Sequence, residues 1–265
     1  MTIRNEERKQ SREAPGQQHL VSGRRLLLAL ALILLLAAGV GTLTFIIIRA
    51  INPAWMASVD FVVLLVAEVY VSVLAALLLA FGGWAGVRER LAFRYTGRRN
   101  LLLSLGALVL GRIVVGLVNV FLSPKLGGSP QSILLQVLPV SPDLPRLSSA
   151  DVLATGLIAI RACVLSPLGE ELVFRGALFG WVRRYLPALP TILLTAVIFA
   201  PIHTYVPFSL ARELPIYLTI SLEGIILAWV RERTGSSLNT FVMHAVNNSL
   251  ALIVAYVLVA LQIAR

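Results

Sequence analysis

The sequence predicts an all-α protein, a polytopic bundle of transmembrane helices with a polar site buried in the membrane. Hydrophobic residues make up 58% of the 265 residues and charged residues 14%, whereas soluble domains carry about 25% charged residues. Mean hydropathy is +0.86. Apolar residues fall into runs of about 20, the length that crosses a bilayer as a helix. Carboxylates nevertheless occur inside these runs, where they are costly unless they are paired or face a wet cavity.

Seven apolar segments have the length of membrane helices. In chain order they are Leu26–Ile48, Phe61–Phe81, Leu101–Leu122, Val152 through the Glu170–Glu171 pair, Pro190–Val206, Pro215–Val230 and Leu238–Ile263. Eight helices are the alternative, because the seventh segment is overlong and the fourth contains Pro167, a helix-breaking residue. The first segment has a basic flank, but its apolar core exceeds the roughly 7–15 residues of a signal peptide. It is therefore predicted to be an uncleaved anchor.

Membrane topology accounts for most of the net charge of +10. Basic residues concentrate before the first segment, between the second and third, and after the fourth and sixth, and they are sparse in the alternate connections. This positive-inside pattern predicts seven crossings with a cytoplasmic N-terminus, in a plasma (inner) membrane. Because the excess charge is topogenic, no nucleic-acid partner is expected. The single Cys163 excludes an intramolecular disulfide and a multi-cysteine metal site.

Three regions are expected along the chain. Residues 1–23 form a polar tail of mixed charge that is predicted to be disordered. Residues 24–149 hold the first three membrane helices and an outer loop, Ser123–Ala150, with a short interfacial helix expected at Ser132–Leu138. Residues 150–265 form the core that carries the intramembrane polar groups.

Glu170 and Glu171 are adjacent, and Arg175 follows Glu171 at i,i+4 spacing. A glutamate four residues before an arginine is the favourable order for an ion pair on a helix. Successive helical residues diverge by about 100° around the axis. One glutamate is therefore expected to face a site while Glu171 pairs with Arg175.

Two of the three histidines, His203 and His244, lie inside apolar segments, and Asn248 shares a helix face with His244. Taken alone, either histidine could equally well be a structural group that hydrogen-bonds to a neighbouring helix or a functional one. Counting inward from the predicted cytoplasmic ends at about 1.5 Å per residue places Glu170 and His203 at about 20 Å, His244 at about 12 Å and Asn248 at about 18 Å. All four can therefore meet in one layer of the membrane.

These groups fit one reaction. A carboxylate and an imidazole can hold a water molecule and take its proton, and an imidazole with a carboxamide can donate hydrogen bonds to a developing oxyanion. Together they suit the hydrolysis of a peptide bond in a membrane-embedded segment.

The order Glu-Glu-x-x-x-Arg, Phe-x-x-x-His and His-x-x-x-Asn, with Phe199 opening the second motif, resembles the CPBP family of intramembrane proteases. This family comprises type II CAAX prenyl endopeptidases and bacterial bacteriocin-processing and immunity relatives. The resemblance covers roughly Ala150–Ala251 and implies that Glu170 and His203 activate the water. It further implies that His244 and Asn248 stabilise the oxyanion, and that Glu171 and Arg175 form a structural or gating pair.

The resemblance leaves metal dependence open, because both a metal-dependent and a metal-free mechanism have been described for the family. Glu170, His203 and His244 would be the ligands of a zinc ion. Their separations of 33 and 41 residues match no compact zinc motif such as His-Glu-x-x-His. The expected cofactor is either none or one divalent metal, zinc.

Two other functions compete with an endopeptidase acting on a membrane-associated peptide or protein. One is a non-catalytic peptide-binding or immunity scaffold of the same fold, which the complete motif set disfavours. The other is a proton-coupled transporter, which the lack of an internal inverted repeat disfavours. Among the remaining membrane charges, Glu223 is expected to bridge to Arg112 or Arg161, while Asp60 and Glu68 are expected to be packing or interfacial groups.

Overall fold

The structure, a computed structural model, describes residues 21–54, 59–121, 125, 156–203 and 210–263, and in these ranges it is helical without strands. It confirms the all-α class. The helices are α1 Gly23–Ile51, α2 Val59–Phe81, α3 Gly83–Arg90, α4 Arg98–Phe121, α5 over 156–182, α6 Ala188–Phe199, α7 Leu210–Thr234 and α8 Ser237–Ile263.

Four of the described helices, α1, α2, α4 and α7, are long and apolar enough to cross a membrane, and Ala188–His203 is a shorter apolar helix. The chain is an integral membrane protein, and seven crossings stay a prediction. Only 11% of the apolar window of α1 is buried, against 50% for α7. α1 therefore lies at the periphery of the bundle, and α7 lies near its centre.

The fourth predicted segment does not split at Pro167, so the eight-helix alternative is wrong at this point. α5 continues through the proline as two π-helical segments, Arg161–Leu165 and Glu171–Leu178, on either side of the α-helical Ser166–Glu170. Proline is tolerated in membrane helices where other groups satisfy the backbone that it leaves free. The polar group that does so here belongs to the candidate site.

Several predicted boundaries also move. α7 begins at Leu210 and includes Pro215, whereas the sequence placed its start at the proline. α6 gives way to a 3₁₀ turn, Ala200–His203, and the end predicted at Val206 lies outside the described residues. The sequence did not predict α3, whose mean hydropathy is too low for a membrane segment.

Residues 21–23, the last three of the predicted tail, are described by the structure. Val21 is buried and the Ser22 hydroxyl accepts a hydrogen bond from Arg25 N at 3.4 Å as the N-cap of α1. Tail residues 1–20, the interfacial helix at Ser132–Leu138 and nearly all of the loop Ser123–Ala150 lie outside the described residues.

The predicted cytoplasmic connections meet at one end of the bundle. Arg184 Nη1 donates to Val21 O at 3.1 Å, which joins the α5–α6 turn to the start of α1. Ser236 Oγ donates to Arg94 O at 2.6 Å, which joins the α7–α8 turn to the α3–α4 connection. The α7–α8 turn depends on Gly235, whose φ of 64° is a left-handed conformation suited to glycine. The basic connections thus share one end, as the positive-inside pattern requires, while their cytoplasmic orientation stays a prediction.

Candidate active site

A cavity of about 150 Å³ lies inside the bundle, between α2, α5, α6, α7 and α8. Glu170, His203, His244 and Asn248, the four residues predicted to be catalytic, all line it. They come from three separate segments of the chain, so only the tertiary packing brings them together. The other polar side chains of its lining are Tyr70, Arg161, Ser166 and Glu223.

Glu170 presents one carboxylate oxygen to a neighbour and the other to the cavity. Tyr70 of α2 donates its hydroxyl to Glu170 Oε1 at 2.6 Å. Glu170 Oε2 is buried and has no hydrogen-bond partner among the described residues. It lies 3.9 Å from His244 Nε2, which is too long for a direct hydrogen bond. Buried polar atoms are nearly always satisfied, so Oε2 is the atom of this carboxylate that is available for a ligand.

Glu171 forms the ion pair that its spacing predicts. Arg175 Nη1 lies 2.9 Å from Glu171 Oε1, and the two side chains are 1% and 0% exposed. Arg175 is held further by the face of Phe199, 4.3 Å from its guanidinium carbon, and by Gly224 O at 3.4 Å. Removing one partner of a buried ion pair strongly destabilises the folded protein. The contact is observed, while a structural or gating role for it stays a prediction.

Glu171 contacts a second basic side chain besides Arg175, whereas the sequence predicts a contact with Arg175 only. His244 Nδ1 also donates to Glu171 Oε1, at 2.9 Å. One oxygen of Glu171 therefore accepts from both a guanidinium and an imidazole. This bond fixes the ring so that its other nitrogen, Nε2, is directed toward Glu170. The expectation that adjacent glutamates face different partners is only partly met, because His244 lies between them.

His203 reaches the cavity from the 3₁₀ turn that ends α6. Its ring packs edge-on against Phe199, four residues earlier, with centroids 5.0 Å apart. His203 Nδ1 is buried and lacks a hydrogen-bond partner within the described part of the chain. Phe199 is buried, and it also contacts Phe174 and His244. It thus positions the histidine and closes the apolar side of the cavity.

Asn248 satisfies a backbone group that Pro167 leaves free. Its Nδ2 donates to Ala162 O at 2.9 Å. Within α5, Ser166 N donates to Arg161 O in π register, and the next donor in that register would be residue 167. Proline has no N–H, so Ala162 O accepts from the side chain of α8 instead. One amide hydrogen of Asn248 is thereby engaged, which leaves the second as the candidate donor to a ligand in the cavity that this side chain lines.

Two of the remaining membrane carboxylates, Glu223 and Glu68, contact another helix. Of the two bridges proposed for Glu223, the one to Arg112 of α4 is present. Glu68 of α2 accepts a hydrogen bond from the Thr44 hydroxyl of α1, consistent with a packing role. The side chain of Asp60 lies outside the described residues.

The described residues do not form a metal centre. Glu170, His203 and His244 line the same cavity, but no group of three His, Cys, Asp or Glu side chains in the described ranges is placed to hold a metal ion. His244 Nδ1 is directed at Glu171 rather than into the cavity. The donor set therefore does not fit zinc.

Tyr70 contacts Glu170 and lines the cavity, yet the sequence does not predict it as a residue of the site. It lies 100 residues before Glu170, and no local spacing relates the two. The only signal was a hydroxyl-bearing aromatic residue inside an apolar helix, which is equally common at membrane interfaces.

Comparison with known protein families supports the resemblance found in the motifs. Residues 153–250 match the family described as Type II CAAX prenyl endopeptidase Rce1-like, and this range includes all seven motif positions. Neither curated proteins nor solved structures gave a match. A domain similar to the Rce1-like type II CAAX prenyl endopeptidases is thus detected at residues 153–250.

Proposed function

We propose that the protein is an intramembrane endopeptidase that hydrolyses a peptide bond of a membrane-associated peptide or protein, with Glu170 and His203 activating the water. The family match supports a protease of the CAAX type. The observation that carries the proposal is one cavity lined by all four predicted catalytic residues. Two of them, Glu170 and His203, present buried atoms with no protein partner in the described part of the chain.

In the proposed first step, Glu170 Oε2 accepts a proton from a water molecule that His203 helps to hold. The hydroxide attacks the carbonyl carbon of the scissile bond, and the carbonyl oxygen takes up the negative charge. The base can act from this position because its other oxygen is engaged by Tyr70 and cannot compete for the same proton. General-base catalysis of this kind contributes about 10²–10⁴-fold.

The oxyanion is proposed to bind between His244 Nε2 and the free amide hydrogen of Asn248. Nε2 donates only when the ring carries both protons, and the carboxylates of Glu170 and Glu171 flank the imidazolium so formed. Collapse of the intermediate breaks the C–N bond. The leaving amine takes the proton that Glu170 accepted, which restores the carboxylate.

The family description makes a prenylated peptide ending in a CAAX sequence the first substrate to test. The protein is proposed to lie in a plasma (inner) membrane with its N-terminus in the cytoplasm. A quenched fluorescent peptide of this kind, supplied to the protein in proteoliposomes, reports cleavage directly. Proteins that co-purify from the native membrane with the Glu170→Gln variant provide a second, unbiased set of candidate substrates.

Glu170→Gln is expected to abolish cleavage while the protein accumulates and folds normally, because glutamine keeps the size of the side chain but cannot take the proton. The matched control is Glu68→Gln, which removes another membrane carboxylate of the bundle, one that is bonded to Thr44 and does not line the cavity. The control should cleave at the wild-type rate. Wild-type cleavage by Glu170→Gln would refute the role of Glu170 as the base, whereas a wild-type protein that binds the peptide without cleaving it would favour the non-catalytic scaffold.

A further inference from the structure

We propose that Tyr70 is a positioning residue for the catalytic carboxylate, so that the active site includes a helix outside the family domain. The inference rests on the proposed role of Glu170 as the base. α2 covers Val59–Phe81, whereas the family match begins at residue 153. The N-terminal helices are thereby assigned a part in the chemistry.

The geometry of the contact separates the two oxygens of Glu170. Tyr70 donates to Oε1 at 2.6 Å, a short distance typical of a hydroxyl bound to a carboxylate. Oε2 receives no such bond from the described residues and lies toward His244 Nε2 at 3.9 Å. A carboxylate with neither oxygen bonded can rotate about its terminal torsion, which has a broad energy profile. The hydrogen bond from Tyr70 restricts this rotation, so that Oε1 stays bound to the tyrosine and Oε2 is left for the cavity.

The packing between α2 and α5 allows the ring of Tyr70 to lie close to the backbone beside Glu170. Gly169 directly precedes the catalytic glutamate, and a Cβ atom at that position would lie 2.9 Å from Tyr70 Cδ1. A glycine is therefore required where the ring crosses α5. The ring lies on the backbone of residue 169 while its hydroxyl reaches the side chain of residue 170. Both contacts come from one tyrosine, which fixes α2 against α5 in a single register.

The size of the expected effect follows from positioning alone. Tyr70 lines the cavity, but its hydroxyl hydrogen is directed to Glu170, so its removal leaves the base chemically intact. Misplacement of a reacting group by about 1 Å costs up to about 10²-fold. Tyr70→Phe, which deletes one oxygen and keeps the ring, is therefore expected to lower kcat by about 10–100-fold.

The test compares Tyr70→Phe with Tyr256→Phe in proteoliposomes, with a quenched prenylated CAAX peptide as substrate. The Tyr256 hydroxyl of α8 is buried without a hydrogen-bond partner among the described residues, and it does not line the cavity. Both variants remove a phenol oxygen from a membrane helix. We expect Tyr70→Phe to reduce kcat with KM and Tm near wild type, and Tyr256→Phe to leave kcat unchanged. A loss of Tm in proportion to the loss of kcat would instead indicate a structural role and overturn the proposal.

A second readout needs no turnover. The infrared difference between wild type and Glu170→Gln isolates the carboxylate stretching band of Glu170. Tyr70→Phe should shift that band and Tyr256→Phe should not. An unshifted band, or an unchanged kcat in Tyr70→Phe, overturns the positioning role. If the wild type cleaves no substrate while the band shifts, the hydrogen bond stands and the proposed peptidase function fails.

Discussion

Replacing Glu171 with glutamine tests whether the buried ion pair supports the fold independently of the adjacent Glu170. Arg175 is 1% exposed, so its charge has no access to water. In the variant its charge is left with the carbonyl of Gly224 at 3.4 Å and the face of Phe199 at 4.3 Å. Neither contact carries a negative charge. His244 also loses the carboxylate that holds Nδ1.

The magnitude follows from burial. Removing one partner of a buried ion pair costs about 3–5 kcal/mol, because the remaining charge stays desolvated. For chains of this size class, 1 kcal/mol corresponds to about 2–4 °C in Tm. Glu171→Gln should therefore lower Tm by about 6–20 °C, by the same conversion. Glu170→Gln should change Tm much less, because the described contact of Glu170 with a basic group, to His244 Nε2, is 3.9 Å long.

Thermal unfolding in a mild detergent, followed by intrinsic fluorescence, measures the difference. Glu232→Gln is the matched control, since it breaks the pair with Arg183 at 3.1 Å, whose side chains are 23% and 19% exposed. Water can reach the charge left behind there, so the expected loss is smaller than for Glu171→Gln. The double variant Glu171→Gln, Arg175→Met removes both charges and should recover part of the loss. If Glu171→Gln unfolds at the same temperature as Glu232→Gln, the ion pair does not stabilise the fold and the reasoning is refuted.

The remaining predictions concern the oxyanion donor and the topology. Asn248→Ala should reduce kcat by about 10²–10³-fold, the usual effect of losing one oxyanion donor, with little change in KM. Asn239→Ala, at a buried amide that donates to Thr96 outside the cavity, should change Tm rather than kcat, and equal kcat values for the two variants would contradict the assignment. Reporter fusions after residues 94 and 184 should indicate the cytoplasm and one after Gly128 the outside, whereas a cytoplasmic signal at residue 128 would reverse the predicted orientation.

Sequence reasoning reached the site residues because their spacing is local and their burial is costly. Glu171 and Arg175, or His244 and Asn248, share a helix face at i,i+4, and carboxylates in an apolar chain imply partners. The prediction that three segments converge on one site used only the depth of each residue in the membrane. This depth was estimated from the rise of a helix per residue. The all-α class needed only the apolar runs.

What the sequence could not supply was contact between distant helices. Tyr70 bonds to a residue 100 positions away, and no periodicity encodes that pairing. The path of the chain through Pro167 was also missed, because proline rules describe a regular α-helix. They do not anticipate a side chain from α8 that bonds to the freed carbonyl. The position of His244 near both adjacent glutamates is likewise a contact between distant segments that their spacing does not encode.

The two π-helical segments of α5 have a consequence for evolution of this helix. A π turn closes its hydrogen bond over five residues instead of four, so each such turn holds one residue more than the α-helical path between the same two points. Deleting one residue inside Arg161–Leu165 would therefore convert that turn to α-helix and leave Ser166–Glu170 facing α8 as before. A single-residue gap within a membrane helix is ordinarily treated as an alignment error. In this helix it would mark a relative that lacks the π turn and keeps its paired glutamates on the same side of the bundle.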